Sequence, residues 1–231
     1  MLLRQLFDKE SSTYTYLVAD PATKEAALID PVAEQVDRDL QLVQELGLNL
    51  KYALDTHVHA DHVTGSGLLR ERTGARTVAS NKGAECVDLR LAHGDRLPLG
   101  RYEIEVLETP GHTDDSVSYL VDDQVFTGDA LFVRGTGRTD FQNGDPEALY
   151  RSLTEVLFAL PEQTVVWPGH DYRGHTVTTI GEEKRHNPRV SGKSRAQFVE
   201  IMNDLGLPRP RKIDQAVPAN RECGQVQEAT G

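Results

Sequence analysis

The apolar positions of the chain alternate first and then take up a helical period. YTYLVAD (14–20) alternates and is rich in β-branched and aromatic residues, which predicts a strand. EAALIDPV (25–32) predicts its hairpin partner, with the turn PATK between them. Val36, Leu40, Val43 and Leu46 then recur at helical spacing over 34–46, and Gly47 closes that helix. KYALDT (51–56) predicts a short apolar strand, HVTGSGLLRERTG (62–74) a helix, and RTVAS (76–80) a further strand.

The second half repeats this plan loosely. YEIEVLETP (102–110) and SVSYLVDDQVFTGDAL (116–131) predict about three strands. Asp145 as N-cap and Pro146 at the first helical position start a helix whose Leu149, Leu153, Val156, Leu157 and Leu160 share one face. TVVWPGH (164–170) is a strand ending in a histidine. SRAQFVEIMNDLG (194–206) begins with a Ser194/Gln197 capping box and stops at Gly206. From Pro208 the chain has Pro, Lys and Arg with little apolar pattern and reads as an extended segment lying on the domain. Two strand-then-helix halves predict an α/β fold of stacked sheets with helices outside. The expected organisation is one domain, 1–231, with a short C-terminal helix and an extended tail over about 194–231.

Bulk properties narrow the function. The 231 residues suffice for one sizeable core, and the formal charge of −11 argues against a nucleic-acid surface, which would show a basic stripe. The two cysteines, Cys86 and Cys223, form no CxxC pair, which excludes a structural cysteine–zinc site. Their distance along the chain leads us to expect no disulfide framework and a reducing compartment. The N-terminus has neither a signal-peptide core nor an Arg- and Ser-rich leader, and no run approaches the ~20 apolar residues of a membrane helix. The expected location is the cytoplasm.

The candidate chemistry lies where strands end. HVHADH (57–62) puts His57, His59, Asp61 and His62 directly after a strand. His112 follows the strand 102–110 in TPGHTDD, Asp129 ends QVFTGDA, and His170 follows WPG. Imidazole and carboxylate are the common ligands of zinc, iron and manganese, and strand ends hold functional loops on a rigid scaffold. Gly111, Gly128 and Gly169 each precede one of these residues, as tight turns require. His93, His175 and His186 read as ordinary surface or satisfied histidines.

THVHADH, GHT, TGDALF and PGHDY resemble the metallo-β-lactamase superfamily over most of the chain. That implies an αββα sandwich with a metal site at one edge, without choosing a reaction. RGTGRTDFQNGDPEALYRSL (134–153) and PGHDYRGHTVTTIGEEKRHNPRV (168–190) are similar to the persulfide dioxygenases, close kin of glyoxalase II. Only about forty residues follow NPRV, too few for the helical thioester-binding domain of a glyoxalase II.

The resemblance implies one Fe(II) per chain, held by His57, His112 and Asp129, a facial triad with three open positions. His59, Asp61, His62 and His170 would then orient these ligands from behind. Glutathione persulfide and O2 would be the substrates. Arg138 would pair with anionic groups or shape its loop, unless it simply pairs with Asp140 or Asp145. Tyr172 would donate a hydrogen bond to substrate, unless it only packs. A homodimer and a separate sulfurtransferase or sulfide-oxidising partner fit the same picture. All groups for a second metal are present, so a two-metal thioester hydrolase remains a rival, as does a metal-dependent sensing module without turnover.

Overall fold

The computed structural model describes residues 1–225. The chain divides into two compact units: Met1–Leu91 with Pro98–Glu103 and the described residues from Arg209 onward, and Ala92–Leu97 with Ile104–Pro208.

The first unit is built on a mixed six-stranded sheet in the order β1-β2-β3-β4-β5-β6. Strands β1 (Leu2–Asp8), β2 (Thr13–Ala19) and β3 (Glu25–Ile29) form an antiparallel meander. The predicted hairpin is present, with Tyr16 opposite Ile29. Helix α1 (Val36–Glu45) then crosses over to β4 (Asn49–Leu54), parallel to β3. Helix α2 (Ser66–Thr73) leads to β5 (Arg76–Ser80), and β6 (Leu89–Leu91) completes the parallel half. Every residue of β2 is buried, as an inner strand of a covered sheet requires. Leu17, Leu28, Val36, Ala53 and Leu69 belong to one core that joins sheet and helices.

The second sheet contains β7 (Arg96–Leu99), β8 (Tyr102–Glu108), β9 (Val117–Val121), β10 (Gln124–Gly128), β11 (Val165–Pro168) and β12 (Thr178–Thr179), in the order β12-β11-β10-β9-β8-β7. Strands β8, β9 and β10 run antiparallel, while β10 and β11 are parallel. Helix α3 (Pro146–Arg151) starts as expected, with Asp145 accepting from Glu147 N at 2.8 Å. It continues through a π turn at Ser152–Val156 and a 3-10 turn at Leu157–Ala159. Its apolar face survives these changes of pitch: Leu149, Leu153 and Leu157 are fully buried with Val166, Ile180 and Phe198. Helix α4 (Ile180–His186) and helix α5 (Arg195–Asn203) follow, and α5 carries the expected Ser194/Gln197 capping box. No helix among the described residues is long and apolar enough to cross a membrane.

Two sequence expectations are corrected. The segment after Pro208 is not wholly extended: it forms helix α6 (Ile213–Arg221), which belongs to the first unit. Its fully buried residues are Ala216, Ala219 and Asn220, and Pro218 lies inside it, so the apolar signal in the sequence was weak. The last six residues of the tail lie outside the described residues. The two cysteines also pair: Cys86 and Cys223 are joined, with Cα atoms 5.9 Å apart, across 137 residues of sequence. Folding brings together what sequence spacing separates, so cysteine usage no longer argues for a reducing compartment.

Candidate metal centre

In the first unit, the turn after β4 carries four of the predicted residues inside a buried polar network. Asp30, just past β3, accepts from Thr56 N at 2.7 Å and Thr56 Oγ1 at 2.9 Å, and its Oδ1 lies 3.1 Å from His59 Nε2. His57 is buried, with Nδ1 3.0 Å from Thr56 Oγ1, an arrangement that orients the ring by one nitrogen. His62 Nδ1 lies 2.8 Å from Asp61 Oδ2, which also accepts from Thr13 Oγ1 at 2.9 Å. The three rings pack in series, with centroids 4.1 Å apart for His57 and His59 and 4.3 Å for His59 and His62.

Burial opposes charge on His59, but Asp30 foremost, then Asp61 and Asp55, raise its pKa to about 9. Asp55, which accepts from Thr64 Oγ1 and Ser66 Oγ, is itself pushed up by burial. His59 Nδ1 and His62 Nε2 are buried without a hydrogen-bond partner among the described residues, and His59, Asp61 and His62 each offer an atom within 4.8 Å of the others. Buried ring nitrogens of this kind fit a cation or an ordered water.

In the second unit, parallel pairing of β10 with β11 brings Gly128 and Asp129 beside Gly169 and His170. Gly169 N donates to Gly128 O at 2.8 Å. His170 Nδ1 lies 2.6 Å from Asp129 Oδ1, while Asp129 Oδ2 is 3.5 Å from His112 Nε2. His112 Nδ1 donates to the Arg138 carbonyl at 2.7 Å, which leaves Nε2 as the lone-pair nitrogen. Two protein atoms each ~2.0–2.2 Å from one ion stand roughly 3 Å apart, so the His112 Nε2 and Asp129 Oδ2 pair fits a shared metal.

The glycines act in two ways. Gly111 and Gly128 have positive φ, 137° and 48°. Gly169 provides space instead: a Cβ there would stand 2.7 Å from Asp129 Oδ1.

Arg138 is engaged within the second unit. Its Nε and Nη2 grip Asp140 at 2.6 and 2.7 Å, Nη1 and Nη2 reach the carbonyls of Pro208 and Leu207 at 2.6 and 3.1 Å, and the guanidinium lies over Phe141. Asp140, not Asp145, is the ion partner, and the guanidinium holds its carboxyl below the usual range. The Arg138 backbone thus fixes His112 while its side chain fixes the loop. Tyr172 is 73% exposed, with its ring parallel to that of His170 at 6.1 Å between centroids.

Two groups of supporting residues escaped the sequence reading. Glu183 of α4, fully buried, accepts from Arg134 N at 2.9 Å, from Thr178 Oγ1 at 2.8 Å and from Asn187 Nδ2 at 2.9 Å. Asn187 also donates to Gly135 O at 3.0 Å, and Arg189 Nη1 donates to Thr136 O at 2.7 Å. EEKRHNPR therefore clamps the RGTG loop that leads into Arg138. A local signal for α4 existed, since its N-cap Thr179 accepts from Glu182 N three residues on. The second group is Asn220 of α6, which bonds the backbone of the histidine turn and left no such local signal.

Each unit has a mixed sheet with helices upon it, and imidazole and carboxylate groups gather where strands end. The model of the metallo-β-lactamase superfamily matches residues 8–85 and 87–170. Human persulfide dioxygenase ETHE1, a mitochondrial protein, is 49% identical over 227 residues, which cover 97% of this chain and 89% of that one. The crystal structure of ETHE1 from Myxococcus xanthus is 65% identical, with a TM-score of 0.96 over 97% of this chain and 100% of that one. A more distant structure, solved in a di-iron-bound form, is 31% identical with a TM-score of 0.68 over 80% of this chain and 98% of that one. The chain has the metallo-β-lactamase fold, the αββα class expected from its motifs. Within that superfamily it belongs to the persulfide dioxygenase family.

Proposed function

We propose that this persulfide dioxygenase oxidises glutathione persulfide at one Fe(II) per chain, held by His57, His112 and Asp129. The reaction would be GSSH + O2 + H2O → GSH + SO3²⁻ + 2H⁺. The observation that carries the ligand reading is the pair His112 Nε2 and Asp129 Oδ2, 3.5 Å apart, each tied down by its other polar atom. The enzyme class rests on the 49% identity to human persulfide dioxygenase over nearly the whole chain. Iron, when bound with two imidazoles and a carboxylate, supplies a redox centre with open positions for sulfur and oxygen.

The protein's own share is orientation. The Arg138 carbonyl fixes the His112 tautomer and Thr56 turns His57, while His170 holds one oxygen of Asp129 so that the other is presented. The exposed Tyr172 hydroxyl serves as a hydrogen-bond donor to the substrate, and Arg138 shapes the loop behind His112. A cytoplasmic location and a separate sulfurtransferase or sulfide-oxidising chain that supplies persulfide complete the reading.

A second reading has an observation in its favour. His59 Nδ1 and His62 Nε2, buried and without a hydrogen-bond partner among the described residues, would hold a second metal, as in a two-metal glutathione thioester hydrolase, and one relative was solved with two irons. Anaerobic metal titration followed by oxygen uptake separates them. One Fe(II) per chain, with oxygen consumed and sulfite formed in step on addition of glutathione persulfide, supports the dioxygenase. Two tightly bound metals, with cleavage of S-lactoylglutathione and no oxygen uptake, would replace it with the hydrolase.

A further inference from the structure

We infer that α6 sets the position of the histidine turn through Asn220, and that the Cys86–Cys223 bond makes this positioning redox-dependent; the inference rests on His57 being a metal ligand. The turn between β4 and α2 lacks regular structure over His57–Val63, so its buried carbonyls need donors from elsewhere. Asn220, buried itself, supplies them. Its Nδ2 donates to His59 O at 2.9 Å and to His62 O at 2.8 Å, and its Oδ1 accepts from Thr64 N at 2.8 Å. Both amide hydrogens and the amide oxygen are used, and carbonyls cannot donate, so this network admits one orientation of the side chain. One residue thus spans the carbonyls on either side of Asp61 and the amide that closes the turn.

Helix α6 fully buries only the small apolar side chains Ala216 and Ala219, with Ile213 and Val217 half-buried, and it contains Pro218. Lys212, before its first residue, pairs with Glu10 at 2.7 Å, and Glu10 is largely exposed. The firm attachment lies just beyond the helix. Cys223 is bonded to Cys86, and its carbonyl accepts from Gly67 N at 3.1 Å at the start of α2. Gly224, at φ 82°, fits against Thr64 O where a side chain would collide. The covalent bond therefore anchors α6 three residues past Asn220. Cys223 is buried while Cys86 is partly exposed, so a thiol can attack from the Cys86 side. Two reductant thiols supply two electrons and two protons, the Cys86–Cys223 bond breaks to two thiols, and the reductant leaves as its own disulfide. Released from that tether, α6 holds the turn less often, and His57, whose ring Thr56 orients, loses the support of the backbone that follows it.

The test compares full-length wild type, Asn220→Asp, the double variant Cys86→Ser with Cys223→Ser, and His57→Ala. Asn220→Asp retains the acceptor for Thr64 N and removes both donors. Each protein is loaded with Fe(II), or with Co(II) as a spectroscopic probe, and release to a chelator is timed. Amide exchange at Thr64 is followed in the metal-free proteins. Asn220→Asp is expected to release metal ~10–100-fold faster and to shift the Co(II) bands, effects that a merely stabilising contact would not produce. The double serine variant, and wild type treated with dithiothreitol, should move in the same direction and exchange Thr64 faster. They carry the test if Asn220→Asp fails to fold. Wild-type release and spectrum in Asn220→Asp, with metal lost in His57→Ala, would overturn the inference and leave the proposed site standing. Unchanged release and exchange after reduction would overturn its redox half. Wild-type metal in His57→Ala would instead remove the ligand reading, and the inference with it.

Discussion

The histidine turn of the first unit and the strand-end trio of the second, His112, Asp129 and His170, use the same residue types in opposite ways. In the turn, the polar atoms are engaged mostly with one another: Asp30 receives Thr56 twice and His59 once, and Asp61 receives His62 and Thr13. In the second group, His112 and Asp129 are each fixed by one bond made on the side away from the other. His112 is held through Nδ1 and Asp129 through Oδ1, and the remaining atoms, Nε2 and Oδ2, face each other. Density of ligand-type residues is therefore a poor guide to ligation. A metal ligand needs a ring or carboxylate whose back is held and whose front presents a lone pair.

The largest effects should come from breaking the trio. His112→Ala and Asp129→Ala are each expected to abolish iron retention and activity, because two of the three proposed protein ligands then remain. Metal analysis after purification decides this, and near-normal iron in either variant would mean that the wrong unit has been given the leading role.

His59→Ala should fall well short of that. Its ring is engaged with Asp30 at Nε2, so most of the iron should stay while catalytic efficiency drops ~10–100-fold. Iron loss as complete as in His112→Ala would erase the contrast between the two regions and favour the two-metal reading. Gly169→Ala probes the trio more gently. The new Cβ would press on Asp129 Oδ1 and the Gly128 backbone, an overpacking that costs about 1–3 kcal/mol. Weaker metal binding with the fold retained is expected by titration and circular dichroism; unchanged affinity would show that Asp129 has more room than its surroundings suggest.

The same contrast governs what could be read from the sequence. Helices α3 and α5 were legible because Asp145, Ser194 and Gln197 act on backbone groups two or three residues away. Helix α6 was not, because its role is tertiary: Asn220 bonds a turn more than 150 residues earlier in the chain, and the only apolar side chains the helix buries fully are alanines. The Cys86–Cys223 pairing was hidden for the same reason. The candidate ligands stood out because each follows a strand. Their individual surroundings did not, since His57 and His59 look alike until the β3 strand end delivers Asp30 to one ring and Thr56 turns the other. Arg138 was legible as a residue that matters to its loop. That its carbonyl carries His112 depends on a backbone atom, which no side-chain pattern reveals.

The smallest effect on the site, and the sharpest on stability, is expected from a buried acid remote from the chemistry. The two units bury carboxylates differently. Glu183 in the second is surrounded by Arg134, Thr178 and Asn187. Asp39 in the first pairs with Arg38, but its Oδ2 is buried without a hydrogen-bond partner among the described residues. Burial outweighs Arg38 and raises the Asp39 pKa from 3.8 to about 6. A raised carboxyl pKa means that the folded state binds the proton more tightly than the unfolded state. Stability is then full below about pH 4 and declines as pH rises through about 6, by at most about 3 kcal/mol. Asp39→Asn removes this titration. Denaturant unfolding at pH 4, 6 and 8 should show the variant close to wild type at pH 4 and progressively more stable above it, with iron retention unchanged. Parallel curves for the two proteins across that range would mean that Asp39 titrates normally and that Arg38 compensates its burial.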